Sequence, residues 1–116
     1  MIDRIFESVL SDGGLVPAIW PLEVGNGLIM AMRRGRISVP FRTEALNALE
    51  RAPIAVDPET QAQARTVTLQ LADRFRLTLY DAAYLELAQR RVLPLATLDR
   101  ALAQAARDLG VPAIGA

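Results

Sequence analysis

Residues 94–114 read PLATLDRALAQAARDLGVPAI, and this stretch decides the fold class. The apolar run at 94–97 predicts a short strand, Asp99 begins a helix that runs to about Leu109, and Gly110 ends that helix. Residues 111–114 then predict a final strand. A strand, a helix and another strand in direct succession are typical of α/β proteins built around a mostly parallel sheet.

The same alternation continues toward the N-terminus. Between Leu22 and Met32 only Glu23 and Asn26 are polar, so we expect a mostly buried helix with these two side chains on one face. In the helix predicted at 57–75, the residues at core spacing are Ala64, Val67, Leu71 and Phe75. The further predicted helices are 4–11, 21–34, 42–51 and 79–90, and the further short strands are 15–19 and 54–56. We therefore expect one α/β domain over residues 1–116.

The composition suits one compact domain. The chain has 116 residues, of which 52% are hydrophobic and 22% charged, and its formal net charge is zero. No apolar run approaches the roughly 18 residues of a membrane helix, and the first ten residues do not resemble a signal peptide. We expect a cytoplasmic protein without a membrane partner. A nucleic acid would have to be held by a local patch or through a metal, because no overall positive field attracts it.

The missing residue types exclude much of common enzyme chemistry. All thirteen basic residues are arginine, and the chain contains no lysine, histidine or cysteine. A Ser-His-Asp triad, a thiol nucleophile, a zinc site of the usual kind and a phosphate-binding P-loop are therefore excluded. If the protein is an enzyme, carboxylates that hold Mg²⁺ or Mn²⁺ to activate water are the plausible device.

Three acids stand where an α/β sheet gathers ligands, at strand-to-helix junctions or in early helical turns: Glu23, Asp81 and Asp99. Each also has a simpler role. Glu23 suits the dipole of its helix, Asp81 follows Thr78 at capping-box spacing, and Asp99 suits an N-cap, with Thr97 as a local partner. Three converging carboxylates would repel one another unless a divalent cation lay among them.

Several arginines have two interpretations as well. Arg33, Arg34 and Arg36 could grip phosphate, although an exposed helix end with solvated arginines is the commoner explanation. Arg42, Arg90, Arg91 and Arg100 are equally ambiguous.

Three segments resemble a known family. Residues 16–28 (VPAIWPLEVGNGL), 77–84 (LTLYDAAY) and 93–99 (LPLATLD) closely resemble the PIN-domain toxins of VapBC toxin–antitoxin systems, in the same order and over nearly the whole chain. The resemblance implies a PIN-like three-layer α/β/α sandwich around a mostly parallel sheet. It also implies a metal-dependent endoribonuclease that serves as the toxin of a type II toxin–antitoxin system.

The resemblance assigns roles to five residues. Glu23, Asp81 and Asp99 match family acids that bind Mg²⁺ or Mn²⁺ and are catalytic, whereas Asn26 and Thr97 match the polar neighbours that support them. A cognate antitoxin, an RNA substrate and a second copy of the chain are the partners that the resemblance implies.

The beginning of the chain departs from the family. Family members open with a hydrophobic strand that ends in an aspartate, and residues 1–3 do not match it, so Asp3 is not given that role. We expect an N-terminally truncated fold that lacks this first strand. Two alternatives follow: an inactive truncated PIN-like domain that binds antitoxin or another copy of itself, and an α/β interaction module whose acids are all helix caps.

Overall fold

A computed structural model describes residues 14–116, so the helix predicted at 4–11 lies outside the described residues. Residues 14–116 form an α/β protein with six helices and four short strands. The strands are β1 (Gly14–Val16), β2 (Ile54–Val56), β3 (Leu95–Ala96) and β4 (Ala113–Ile114). The helices are α1 (Trp20–Arg33), α2 (Val39–Arg51), α3 (Thr60–Gln63), α4 (Val67–Phe75), α5 (Leu79–Arg91) and α6 (Arg100–Asp108).

The described chain divides into two compact units, residues 14–56 and 57–116. Each unit contains one parallel pair of strands: β1 pairs with β2 in the first, and β3 pairs with β4 in the second. The strand–helix–strand order predicted for 94–114 is confirmed, although β3 and β4 have only two residues each. The single domain predicted from the sequence stays a prediction.

In the first unit, β1 ends earlier than predicted. Pro17 is buried directly after the strand, and it has no backbone N–H that could continue the hydrogen bonds between β1 and β2. Its carbonyl accepts a hydrogen bond from the N–H of Trp20 at 3.0 Å, in the turn that leads into α1.

Helix α1 stops as predicted. Gly35 adopts a φ of +68°, and the N–H of Arg36 reaches back to the carbonyl of Ala31, which is the Schellman arrangement.

The prediction that the first long helix is mostly buried is wrong. No residue of α1 or α2 is buried, and the Leu22 side chain is 72% exposed. Glu23 and Asn26 are exposed as well. An apolar sequence shows that a helix could be covered, but not that another element covers it. The large exposed apolar residues of this unit are Leu22, Ile29, Val39, Phe41, Leu46 and Val56.

Helix α2 begins three residues earlier than the predicted start at Arg42. The side chain of Ser38 caps it by accepting the N–H of Phe41 at 3.2 Å, and Pro40 fits the first turn, where a proline leaves no hydrogen bond unmade.

The helix predicted at 57–75 is interrupted. Helix α3 has four residues, and α4 starts only after Thr66, whose φ of −122° and ψ of −101° are not helical. Residues 59–66 contain only two alanines among polar side chains, so no apolar stripe holds this segment in one continuous helix. Leu71 is buried as predicted, whereas Val67 is exposed.

The hydrophobic core lies in the second unit, where α4 and α6 pack on α5. Small side chains from α5 and α6, such as Ala82 and Ala106, are fully buried there and allow close packing. The cluster consists of Leu71, Ala72, Ala82, Leu85, Ala88, Leu95, Leu102, Ala105, Ala106 and Val111. The core fixes the start of α5 and of α6, which carry two of the predicted acids.

Candidate functional site

Asp81 lies in the first turn of α5 and is half-buried. The hydroxyl oxygen of Thr78 accepts a hydrogen bond from the backbone N–H of Asp81 at 3.1 Å, so Thr78 is the N-cap of this helix. The predicted bond from the N–H of Asp81 to the Thr78 side chain is confirmed, whereas the reciprocal bond of a capping box, from the N–H of Thr78 to the Asp81 carboxylate, stays a prediction.

Asp99 is the N-cap of α6 and is exposed. Its Oδ1 accepts a hydrogen bond from the N–H of Leu102 at 2.9 Å, and its own N–H donates to the hydroxyl oxygen of Thr97 at 3.1 Å. The predicted N-cap and the predicted partner are both confirmed. One carboxylate oxygen of Asp99 is thus engaged in the cap.

The structure brings Asp81 and Asp99 within electrostatic reach of each other. Burial raises the pKa of Asp81, the negative charge of Asp99 raises it further, and a hydrogen bond from the Thr78 side chain opposes both effects. Two like charges that disfavour each other are the environment in which a bound cation is favourable.

Glu23 and Asn26 lie on α1 in the first unit, and their membership of the same site as Asp81 and Asp99 stays a prediction. Within residues 14–116, no group of three or more acidic, histidine or cysteine side chains is arranged so that it could hold a metal ion. Mg²⁺ in proteins commonly uses only one or two carboxylates and keeps several waters, so a metal at Asp81 and Asp99 stays a prediction.

A second charged cluster was not predicted from the sequence. Arg90 of α5 donates from Nη2 to Asp57 Oδ2 at 2.6 Å, from Nε to Glu86 Oε2 at 2.6 Å and from Nη1 to Glu59 Oε2 at 2.9 Å. Asp57 is 1% and Glu86 3% exposed. Arg90 contacts each of these two buried carboxylates through two nitrogens. We call Arg90, Asp57, Glu59 and Glu86 the Arg90 cluster.

The charges of the Arg90 cluster stabilise one another. Hydrogen bonds from Arg90 lower the pKa of Asp57, although burial opposes this, and hydrogen bonds to Glu86 and Asp57 raise the pKa of Arg90. Its guanidinium is therefore occupied, and Arg90 is no longer a candidate for gripping phosphate. The four-residue spacing of Glu86 and Arg90 on one helix is the feature of the sequence that could have predicted their ion pair. Asp57 lies 33 residues from Arg90, so no local pattern predicts that these two side chains meet.

Arg33, Arg34 and Arg36 are exposed at the end of α1, and Arg91 and Arg100 are exposed on the second unit. Arg42 is half-buried.

None of the helices within residues 14–116 is both long and apolar enough to cross a membrane.

Comparison with known proteins bears on the fold. No protein-family model and no curated protein matches the chain. The crystal structure of PAE2754 from Pyrobaculum aerophilum is similar, with a TM-score of 0.69 and 24% sequence identity, over 96% of this chain and 80% of that one. At this identity the similarity concerns the fold alone.

Proposed function

We propose that this chain is a metal-dependent endoribonuclease, the toxin of a type II toxin–antitoxin pair, with a PIN-like three-layer sandwich. The observation that carries the proposal is that Asp81 and Asp99 stand at the starts of two helices of one packed core, where the charge of Asp99 raises the pKa of Asp81. The second support is the ordered resemblance of residues 16–28, 77–84 and 93–99 to PIN-domain toxins.

In this proposal Asp81 and Asp99 hold Mg²⁺ or Mn²⁺, and Glu23 is the third ligand on the strength of the resemblance. Such a cation supplies Lewis-acid activation of water and of a phosphodiester group. Thr97 fixes the main chain of Asp99 through its 3.1 Å hydrogen bond, and Asn26 supports Glu23 by resemblance. The partners are RNA, a cognate antitoxin and a second copy of the chain, in the cytoplasm.

A second candidate function is an interaction module without catalysis. It is favoured by the first unit, in which α1 and α2 have no buried residue and Leu22 and Phe41 are exposed. Large apolar side chains exposed in such number are typical of protein–protein contact surfaces. In this alternative the acids serve only as helix caps and dipole partners.

Cleavage of a mixed RNA pool by the purified chain separates the two functions. We expect cleavage with Mn²⁺ that EDTA abolishes. Asp81→Asn should reduce it by more than about a hundredfold, because loss of even an outer-shell partner of a metal commonly costs 10–100-fold. The fold should survive, since the backbone N–H that Thr78 caps is retained.

Asp73→Asn is the matched control, because Asp73 is an exposed acid on α4 outside the pair. It should cleave like the unchanged chain, and Glu23→Gln should behave like Asp81→Asn. Full cleavage by the Asp81→Asn variant would falsify the nuclease proposal, and a folded chain that cleaves no RNA would favour the interaction module.

A further inference from the structure

Exposed apolar side chains stand directly before both candidate acids. Tyr80 precedes Asp81 and is 59% exposed, and Leu98 precedes Asp99 and is 46% exposed. Leu79, the first residue of α5, is 39% exposed. A single exposed apolar residue is ordinary, whereas several of them beside polar groups are typical of a binding surface. The starts of α5 and α6 thus offer a ligand both carboxylates and apolar surface.

The exposure of Tyr80 follows from its place in the helix. Thr78 fixes the first turn of α5 by accepting the N–H of Asp81 at 3.1 Å, and Tyr80 lies within that turn. The buried residues of α5 lie between positions 82 and 88. Tyr84, one turn further on, packs against the core, whereas Tyr80 comes before the packed part of the helix. Tyr80 therefore has a fixed backbone position and an aromatic ring that the core leaves largely in solvent.

Exposed arginines stand close to both acids in the sequence. Arg76 follows the last residue of α4, four residues before Tyr80, and Arg100 directly follows Asp99. Proteins that bind single-stranded RNA commonly hold its phosphates with arginines and stack its bases on aromatic rings. An arginine, an aromatic ring and the carboxylates of the proposed metal site are together the groups that would bind a nucleotide and its phosphodiester.

Other macromolecules fit this surface less well. A protein partner that covered Tyr80 closely would also take Asp81 and Asp99 out of water, and a buried carboxylate without a partner is costly. Single-stranded RNA leaves these acids in contact with water and with the cation of the proposed function. The bases of double-stranded RNA are stacked on one another, so they are not free to stack on a side chain.

We propose that Tyr80 binds the substrate through its ring, which stacks on an unpaired base of single-stranded RNA next to the phosphodiester group at Asp81 and Asp99. The inference rests on the proposed function, because that function supplies the RNA. Every base has a π face, so a stacking ring contributes affinity for single strands and not for a particular sequence.

Fluorescence anisotropy of a labelled single-stranded RNA in EDTA tests the inference, because the proposed enzyme leaves RNA intact without metal. Loss of a ring that stacks on one base commonly weakens binding by about fivefold to a hundredfold, so we expect at least a roughly fivefold loss in Tyr80→Ala. Tyr80→Phe keeps the ring and should bind like the unchanged chain. Val92→Ala is the control, since Val92 is 88% exposed at the other end of α5, about 18 Å along the helix.

Two further ligands show whether the ring acts on a base. The unchanged chain and Tyr80→Ala should bind equally to an oligonucleotide of the same length without bases, and equally to duplex RNA of the same sequence. Tyr80→Ala should keep its melting temperature, because alanine is a good helix former and replaces an exposed side chain. If Tyr80→Ala does not fold, Tyr80→Leu keeps apolar bulk without a ring and should show the same loss of RNA affinity.

Unchanged RNA affinity in a folded Tyr80→Ala or Tyr80→Leu protein overturns the inference, and so does an equal loss of affinity for the strand without bases. Absence of RNA binding by the unchanged chain overturns it as well. If that chain nevertheless cleaves RNA with Mn²⁺ and Asp81→Asn does not, the proposed function stands and a protein partner becomes the occupant of this surface. If the unchanged chain neither binds nor cleaves RNA, both fall together.

Discussion

Arg90 donates hydrogen bonds to two carboxylates that have almost no contact with water, those of Asp57 and Glu86. A buried carboxylate without a partner is costly, because the protein interior replaces the water that would otherwise solvate its charge. The guanidinium, whose planar fork suits two carboxylates at once, is the group that makes this burial tolerable.

We expect Arg90→Met to lower the free energy of unfolding by about 3 kcal/mol, the lower part of the range for breaking a buried ion pair, because Arg90 itself remains 19% exposed. Chemical denaturation measures this. Arg91→Met is the control, since Arg91 is exposed at the end of the same helix and should change stability by less than about 0.5 kcal/mol. Equal effects of the two variants would contradict the structural role of the Arg90 cluster.

The pKa of Asp57 predicts a pH dependence. It is lowered below its ordinary value of 3.8, so the folded state favours the ionised carboxylate more than the unfolded state does. The resulting stability is fully present above 3.8 and is lost as the pH falls through the lower folded value. We expect Asp57→Asn to be less stable than the unchanged chain at pH 6 and to lose less on acidification to pH 3. Parallel acid-titration curves for both proteins would show that Asp57 is not responsible.

At the scale of the element, the end of α5 contains a backbone conformation that favours glycine. Val92 adopts a φ of 54° and a ψ of 52°, the left-handed region, and its side chain is 88% exposed. A β-branched side chain is strained in that region, and little packing compensates here. Val92→Gly should therefore raise the free energy of unfolding by about 1 kcal/mol. Arg91→Gly, one residue earlier within the helix, should lower it by about as much. A loss of stability in Val92→Gly would mean that the valine makes contacts that outweigh its strain.

Elements whose signals are local could be predicted from the sequence. The stops at Gly35 and Gly110, the cap of α5 at Thr78 and the cap of α6 at Asp99 depend on residues within one turn, and all four are confirmed. Burial could not be predicted in the same way. Whether α1 is covered, and whether Asp57 meets Arg90, depends on residues far apart in the sequence.

The candidate site shows the same division. The starts of α5 and α6 follow from local signals, so the positions of Asp81 and Asp99 could be predicted, and their proximity follows from the core that packs these helices. The expectation that Glu23 is a metal ligand depends in part on a buried helix, and no residue of α1 is buried. Its role therefore rests on the resemblance.

At the scale of the whole molecule, buried apolar side chains are concentrated in residues 57–116. Backbone amides in a packed core exchange their hydrogens only through large openings, whereas helices without buried side chains open locally. We expect slow hydrogen exchange in α5 and α6 and exchange at least about tenfold faster in α1 and α2, measured by mass spectrometry of the full chain. Equally slow hydrogen exchange in α1 and α5 would show that α1 is covered in solution, for example by a second copy of the chain. If a second copy covers α1, dilution of the protein should speed up hydrogen exchange in α1.

The Arg90 cluster also constrains how this sequence can diverge. A single change at Arg90, Asp57 or Glu86 leaves a buried charge without its counterpart, whereas joint replacement of the set by apolar residues of similar volume is tolerated in other proteins. Descendants of this chain are therefore expected to keep all three residues or to lose them together. Positions 57, 86 and 90 should covary among its homologues, although one of them lies some thirty residues from the others.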